Sequence, residues 1–154
     1  MIGIEGIKRI IPHRHPILLV DRVDEVDPGR WLVARKAVTA AEHCYRDATE
    51  EAYPLSLLLE SWAQAAVLLA CWDQPNPDVV AGKVELATGI RGVRIGRDVV
   101  PGDVVVHRVE VVRALDDAVI VSGTSAVDGR EVLAVEQFSV ALRDLSVLVA
   151  GRAS

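Results

Sequence analysis

The sequence predicts an α+β protein in which one antiparallel sheet wraps around a single long helix. The chain has 154 residues, of which 51% are apolar and 25% charged, a balance typical of a globular domain. Residues 54–72 form its one long apolar segment, and a helix that is apolar on every side must be covered all round. Strand-like segments flank it on both sides. We therefore expect residues 1–154 to form one domain with the hot-dog arrangement, and a flat α+β layer is the alternative.

The N-terminal part of the chain predicts a short helix and a hairpin. Residues 2–10 place isoleucines on one side of a helix that would stop before Pro12. Residues 17–26 and 31–39 are rich in β-branched and apolar residues and are typical of strands. The Asp-Pro-Gly sequence at 27–29 predicts the turn between them.

The long helix and four further strands account for the rest of the chain. Pro54 suits the beginning of the helix, and the prolines within residues 73–77 end it. The Asp-Gly pair at 128–129 predicts a two-residue hairpin between the last two strands. The four strands are expected at residues 83–95, 103–114, 118–127 and 131–142.

Composition and motifs exclude several classes of function. A net charge of −5 argues against nucleic-acid binding, which needs clustered Lys and Arg. Two cysteines and no signal peptide favour a reducing compartment, so we expect a cytoplasmic protein. Glu60 and Gln64 interrupt residues 54–72 and argue against a membrane span. Phosphate-binding, dinucleotide-binding and metal-binding motifs are lacking, so no cofactor or metal is expected.

A polar line on the long helix is the first candidate site. Ser56, Glu60 and Gln64 follow one another at intervals of four residues and therefore lie on one side of the helix. Because Glu is rarely buried without a partner, an enclosed Glu60 would face a partner or a cavity. Desolvation would favour its protonated form, which suits a general acid. The alternative is that this line faces solvent.

The four histidines differ in their promise as a catalytic base. His43 lies in the polar loop that leads into the long helix, from which a side chain can reach Glu60. His13 and His15 lie in a loop before the first strand, where a structural role is expected. His107 lies in an alternating strand and is expected to be a surface or barrel-face residue.

Three segments carry the motifs of a known family: residues 12–23 (PHRHPILLVDRV), 57–66 (LLLESWAQAA) and 89–103 (GIRGVRIGRDVVPGD). They resemble the (3R)-hydroxyacyl-[acyl carrier protein] dehydratases, hot-dog proteins of fatty acid synthesis, and the resemblance extends over about residues 5–142. It implies a dimer in which a histidine of one subunit removes a proton from C2 of the acyl chain. The helix glutamate of the other subunit, here Glu60, protonates the departing hydroxyl. It also implies substrate contacts at Gln64 and at the beginning of the helix, here Pro54, Leu55 and Ser56, and no cofactor.

The resemblance fails at the histidine loop. Counting back from Glu60 places Arg46 where the family has its catalytic histidine, and Leu55 where it has a glycine. Arginine stays protonated and cannot act as a base. Three hypotheses follow: a heterodimer whose homologous hot-dog partner supplies the histidine, an active homodimer that uses His43, or a catalytically dead module that binds acyl thioesters. We favour the heterodimer, acting on a 3-hydroxyacyl thioester of acyl carrier protein in fatty acid or polyketide synthesis.

Overall fold

The computed structural model describes residues 1–46, 51–80, 83–116 and 118–144. Over these residues the chain forms seven strands and two α-helices, with a 3-10 turn before the longer helix. In chain order the elements are β1 (Ile2–Gly3), α1 (Ile4–Ile7), β2 (Arg22–Asp27), β3 (Trp31–Ala37), the 3-10 turn (His43–Tyr45), α2 (Leu55–Ala70), β4 (Lys83–Ile95), β5 (Val104–Ala114), β6 (Ala118–Val127) and β7 (Arg130–Asp144).

The sheet is antiparallel and contains all seven described strands in the order β1-β2-β3-β5-β6-β7-β4. Helix α2 packs against β3, β5, β6 and β7. At the centre of this interface the ring of Trp62 meets the edge of Phe138, with 5.7 Å between ring centroids. One sheet curled around one helix is the predicted hot-dog arrangement, and the prediction is confirmed.

Helix α2 is enclosed for most of its length. Its first turn is open to solvent, with Leu55 42% exposed, whereas every residue from Gln64 to Leu69 is buried. The predicted helix at 54–72 matches α2 within two residues at each end. Among the described residues no helix is long and apolar enough to cross a membrane.

Turn residues set the strand boundaries as expected. Asp128 and Gly129 have φ angles of 49° and 75°, which is the left-handed backbone that a two-residue hairpin requires. Val127 and Arg130 pair directly on either side of them. The predicted strand at 83–95 coincides with β4, and the other three C-terminal strands agree within two residues.

Two N-terminal predictions were too long. The helix expected at 2–10 is limited to α1, because Ile2 and Gly3 pair with β2 instead. The strand expected at 17–26 begins only at Arg22. The backbone of Ile17 and Leu19 is hydrogen-bonded to the side chain of Gln64, so it does not join the sheet at these residues.

Strand β4 is an edge of the sheet. It has β7 on one side and is last in the strand order. Its apolar side chains include Ile90, Val93 and Ile95, which are 39%, 38% and 55% exposed. We predict that this edge pairs with a second hot-dog subunit, because an exposed edge strand is a ready template for strand pairing.

Candidate active site

Glu60 is held in place by Gln64. The Gln64 side chain is 1% exposed and forms three hydrogen bonds. Its Oε1 accepts from the backbone N–H of Leu19 at 2.9 Å, and its Nε2 donates to the carbonyl oxygen of Ile17 at 2.7 Å and to Glu60 Oε1 at 2.8 Å. Because a backbone N–H can only donate, the Leu19 contact fixes which end of the amide carries the oxygen. The carboxylate of Glu60 therefore has one oxygen bound by a fixed donor.

Hydrogen bonds of Arg14 hold the segment around residues 17–19, which faces Gln64. The carbonyl oxygen of Arg14 accepts hydrogen bonds from the backbone N–H groups of Ile17 and Leu18, both at 2.9 Å. Its guanidinium donates to the backbone carbonyls of four other residues, which are Lys8, Ile11, His13 and Pro77. This arrangement turns the chain so that Ile17 and Leu19 present their backbone groups to helix α2.

His13 is the functional candidate that the sequence reasoning missed. Its Nε2 lies 3.7 Å from Glu60 Oε1, and the two side chains are 22% and 36% exposed. We expected a structural role for His13, but the structure brings it beside the helix carboxylate. No local pattern signals this contact, because 47 residues separate the two positions and the path of the N-terminal segment decides their distance.

His43, the histidine of the loop before α2, contacts His15 and Arg46. The His43 ring is 5.6 Å from that of His15, and Arg46 Nη2 is 3.2 Å from His43 Nδ1. Within the described part of the protomer, the imidazole that approaches Glu60 is that of His13, not that of His43. Residues 47–50, where the family's loop would continue, lie outside the described residues. The position of His43 and Arg46 relative to a partner's glutamate stays a prediction.

Pro54, Leu55 and Ser56 form the beginning of α2. The carbonyl oxygen of Pro54 accepts hydrogen bonds from the N–H groups of Leu57 and Leu58, at 2.9 and 3.0 Å. By helix geometry the N–H groups of Leu55 and Ser56 precede these first bonds and have no partner within the helix. They point along the positive end of the helix dipole, one turn before Glu60.

A buried polar cluster anchors the loop before α2. Lys36 is 4% exposed, and its Nζ lies 3.1 Å from Glu42 and 5.3 Å from the centre of the Tyr53 ring. The backbone N–H of Tyr53 donates to Val99 at 2.6 Å. Burial, together with the negative charge of Glu42, raises the pKa of the Tyr53 hydroxyl, which therefore stays neutral. The cluster fixes the point at which the chain enters the helix.

A cavity of about 640 Å³ lies beside the site. Its walls include His15, Ile17, His43 and Leu57, and it borders the segment that holds Gln64. Its volume is in the usual range for small-molecule pockets.

His107 is a core residue, which excludes the surface position that we had allowed for it. It is fully buried between Ser61 of α2 and Ser125 of β6. Burial, together with the charge of Lys36, lowers its pKa to about 3. Val105 and Val109, two residues away on either side, are also fully buried, so the alternating pattern of the strand already indicated the inner face.

Comparison with known proteins places this chain in a family. The chain matches the FabA-like domain over residues 11–136. It belongs to the FabA-like family. Its relatives in that family include the 3-hydroxyacyl-[acyl-carrier-protein] dehydratase FabZ of Anaeromyxobacter dehalogenans (strain 2CP-1 / ATCC BAA-258), 40% identical over 146 residues, 94% of this chain and 92% of that protein. FabZ of Clostridium novyi (strain NT) is 36% identical over 138 residues, 88% of this chain and 94% of that protein.

Solved structures share the hot-dog fold. A chain of the dehydratase heterocomplex ApeI:P from Xenorhabdus doucetiae matches with a TM-score of 0.81 at 15% identity, over 96% of this chain and 97% of that chain. The fluoroacetyl-CoA thioesterase FlK matches with a TM-score of 0.64 at 16% identity, over 83% of this chain and 96% of that chain. The predicted resemblance to the dehydratases is thereby confirmed at the level of family and fold.

Proposed function

We propose that this chain is a subunit of a 3-hydroxyacyl-[acyl-carrier-protein] dehydratase in which Glu60 is the general acid. The observation that carries the proposal is the Glu60–Gln64 pair, in which a buried amide with three hydrogen bonds holds the carboxylate in the second turn of α2. Membership of the FabA-like family and 40% identity to a FabZ dehydratase support this reaction.

The reaction is an elimination of water. A base removes a proton from C2 of the 3-hydroxyacyl thioester while the bond between C3 and the hydroxyl oxygen breaks. Glu60 protonates the departing hydroxyl, so that water leaves and a trans-2-enoyl thioester remains. Because Gln64 donates to Glu60 Oε1, the transferable proton belongs on Oε2. Proton exchange with solvent then restores the acid and the base.

The beginning of α2 is suited to bind the thioester. The N–H groups of Leu55 and Ser56, which have no partner within the helix, would donate to the thioester carbonyl oxygen, where negative charge develops as C2 loses its proton. Pro54 fixes the entry into the helix, and Gln64 keeps Glu60 one turn away. The substrate-binding roles of Pro54, Leu55, Ser56 and Gln64 are part of the proposal.

The base comes from a homologous hot-dog subunit in this proposal. Arg46 occupies the expected histidine position and stays charged, so this chain lacks a base there. The open edge of β4 offers the surface for such a partner. A chain of the dehydratase heterocomplex ApeI:P shares the fold, which supports a complex of this chain with a different subunit.

An active homodimer that uses His43 is the second candidate. The observation in its favour is that His43 lines the cavity of about 640 Å³, so its ring is accessible to a ligand there. In this arrangement His43 of one copy would act with Glu60 of the other. A catalytically dead acyl-binding module would use the same cavity and would need neither side chain.

Dehydration of a 3-hydroxyacyl-carrier-protein substrate tests these functions. The chain is assayed alone and with the hot-dog partner that copurifies from its source. We expect activity only in the complex, a loss of about 100-fold or more with Glu60→Gln, and little change with His43→Ala. Glu131→Gln, which removes an exposed carboxylate on β7, is the matched control and should leave the rate unchanged.

The outcomes separate the three functions. Activity of the pure chain that His43→Ala abolishes would establish the homodimer and overturn the heterodimer. Full activity of the complex with Glu60→Gln would remove Glu60 as the acid. Binding of acyl carrier protein without turnover, alone or with the partner, would establish the module.

A further inference from the structure

Three buried polar side chains are joined by hydrogen bonds between the sheet and α2. His107 of β5 lies opposite Ser125 of β6 in the strand register, and both side chains face α2. His107 Nε2 is 3.0 Å from Ser61 Oγ, and His107 Nδ1 is 2.8 Å from Ser125 Oγ. All three residues are fully buried.

The donor and the acceptor of each hydrogen bond among Ser61, His107 and Ser125 can be assigned. Ser61 Oγ donates its only proton to the carbonyl oxygen of Leu58, at 2.9 Å. It must therefore accept from His107, which places the imidazole proton on Nε2. Nδ1 then carries the lone pair and accepts from the hydroxyl of Ser125. Neutral imidazole has one donor and one acceptor, so every polar atom of the chain is satisfied.

Apolar side chains of α2 are buried beside these bonds. They include Trp62, which contacts Phe138 of β7, and Ala65, Ala66 and Leu69, and apolar contacts are non-directional. The short alanine side chains offer little resistance to rotation of the helix about its own axis. The bond between Ser61 and His107 is directional, because a hydrogen bond weakens steeply when its angle is distorted.

We propose that His107 is a positioning residue for Glu60, because the Ser125–His107–Ser61 chain fixes the rotation of α2 against the sheet. Ser61 directly follows Glu60, so the two side chains turn together with the helix. The proposal rests on the acid role of Glu60 set out above. Gln64 holds the same helix turn from the N-terminal segment, and His107 holds it from the sheet.

The geometry gives the expected size of the effect. Side chains extend about 5–6 Å from a helix axis, so a rotation of about 10° moves a carboxylate by about 1 Å. A misplacement of about 1 Å can reduce catalysis by about 100-fold. Since Gln64 still restrains α2, we expect a loss of about tenfold in kcat when the chain of hydrogen bonds is broken.

Steady-state kinetics of the complex with its histidine-bearing partner tests the proposal. His107→Leu removes the donor and the acceptor, and Ser125→Ala is the milder variant if the first fails to fold. We expect kcat to fall about tenfold with KM within twofold. Val109→Ala is the matched control, because it removes buried carbon from the same face of β5 and leaves the hydrogen bonds intact. An unchanged kcat in both polar variants, or an equal loss in the control, would overturn the proposal.

A second measurement does not depend on activity. In ¹⁵N spectra of the protein, His107→Leu or Ser125→Ala should shift the side-chain amide signal of Gln64 and the backbone amide signal of Leu19, and Val109→Ala should not. If the wild-type complex shows no dehydration, the proposed function fails, and these signals still decide the positioning role. Unshifted signals in both polar variants would refute that role even in an active enzyme.

Discussion

Replacing Gln64 by glutamate tests whether the two amide hydrogens hold the site together. The substitution keeps the shape of the side chain and its acceptor for Leu19. It removes the donors to Ile17 and to Glu60, whose oxygens are 2.7 and 2.8 Å from the amide nitrogen. A carboxylate at position 64 would then face two acceptors in a buried position, whereas a protonated carboxyl group would restore one donor.

The sign of the pH effect follows from this arrangement. Burial and the facing oxygens of Ile17 and Glu60 raise the pKa of the new carboxyl group in the folded state above its unfolded value of about 4.3. The folded variant binds more protons than the unfolded chain between these two values, so its stability falls as pH rises through that window. Each unit of difference costs about 1.4 kcal/mol once the pH is above both values. For a shift of about 3 units, the variant loses about 4 kcal/mol at pH 8 and little of that at pH 4.

Urea unfolding of the wild type and of Gln64→Glu across this pH range measures the difference. Gln74→Glu, at an exposed position after α2, is the control and should show a small difference at every pH. A destabilisation by Gln64→Glu that is the same at pH 4 and pH 8 would show that the lost amide hydrogens are not its cause. A variant as stable as the wild type at pH 8 would refute the hydrogen-bond network itself.

Three further predictions concern the core, a turn and the edge of the sheet. The pKa of His107 is lowered to about 3 in the folded state. The wild type should therefore lose up to about 1.4 kcal/mol of stability for each pH unit between about pH 6 and pH 3, and His107→Gln should lack this loss in acid unfolding. Gly129→Ala should cost about 1 kcal/mol in urea unfolding because φ is 75° there, whereas Gly3→Ala, with open space for the added carbon, should cost less. Val93→Lys should weaken the edge pairing of β4, so sedimentation should show a larger share of monomer, and an unchanged assembly would place the interface elsewhere.

Local chemistry made most of the fold predictable. The Asp128-Gly129 pair predicts its hairpin because both residues accept left-handed backbone. Helix α2 is recognisable because an apolar segment of that length after Pro54 has few other stable forms. The first predicted strand begins too early because the side chain of Gln64, more than 40 residues away, binds the carbonyl oxygen of Ile17 and the N–H group of Leu19. Pairings of that kind leave no trace in the local pattern.

The candidate site was predictable only in part. Glu60 and Gln64 stand out because polar residues at this spacing are unusual on an apolar helix, and the structure joins them by a hydrogen bond. His13 did not stand out, since its approach to Glu60 depends on how the N-terminal segment turns. A base from a second subunit cannot be read from one chain, because intermolecular geometry decides which histidine reaches the substrate.

Packing of the N-terminal segment before β2 against α2 determines which part of the protein can unfold locally. Ile7, Ile11 and Val20 are buried with α2 in one core, and the carbonyl of Ile10 accepts a hydrogen bond from Asn76, just beyond the helix. This segment therefore packs along α2 and is held to it by apolar contacts and hydrogen bonds. Its detachment would leave β2–β7 paired while exposing Gln64 and freeing Glu60. In hydrogen exchange, the amide of Leu19 would then report whether Gln64 still holds Glu60, before the sheet unfolds.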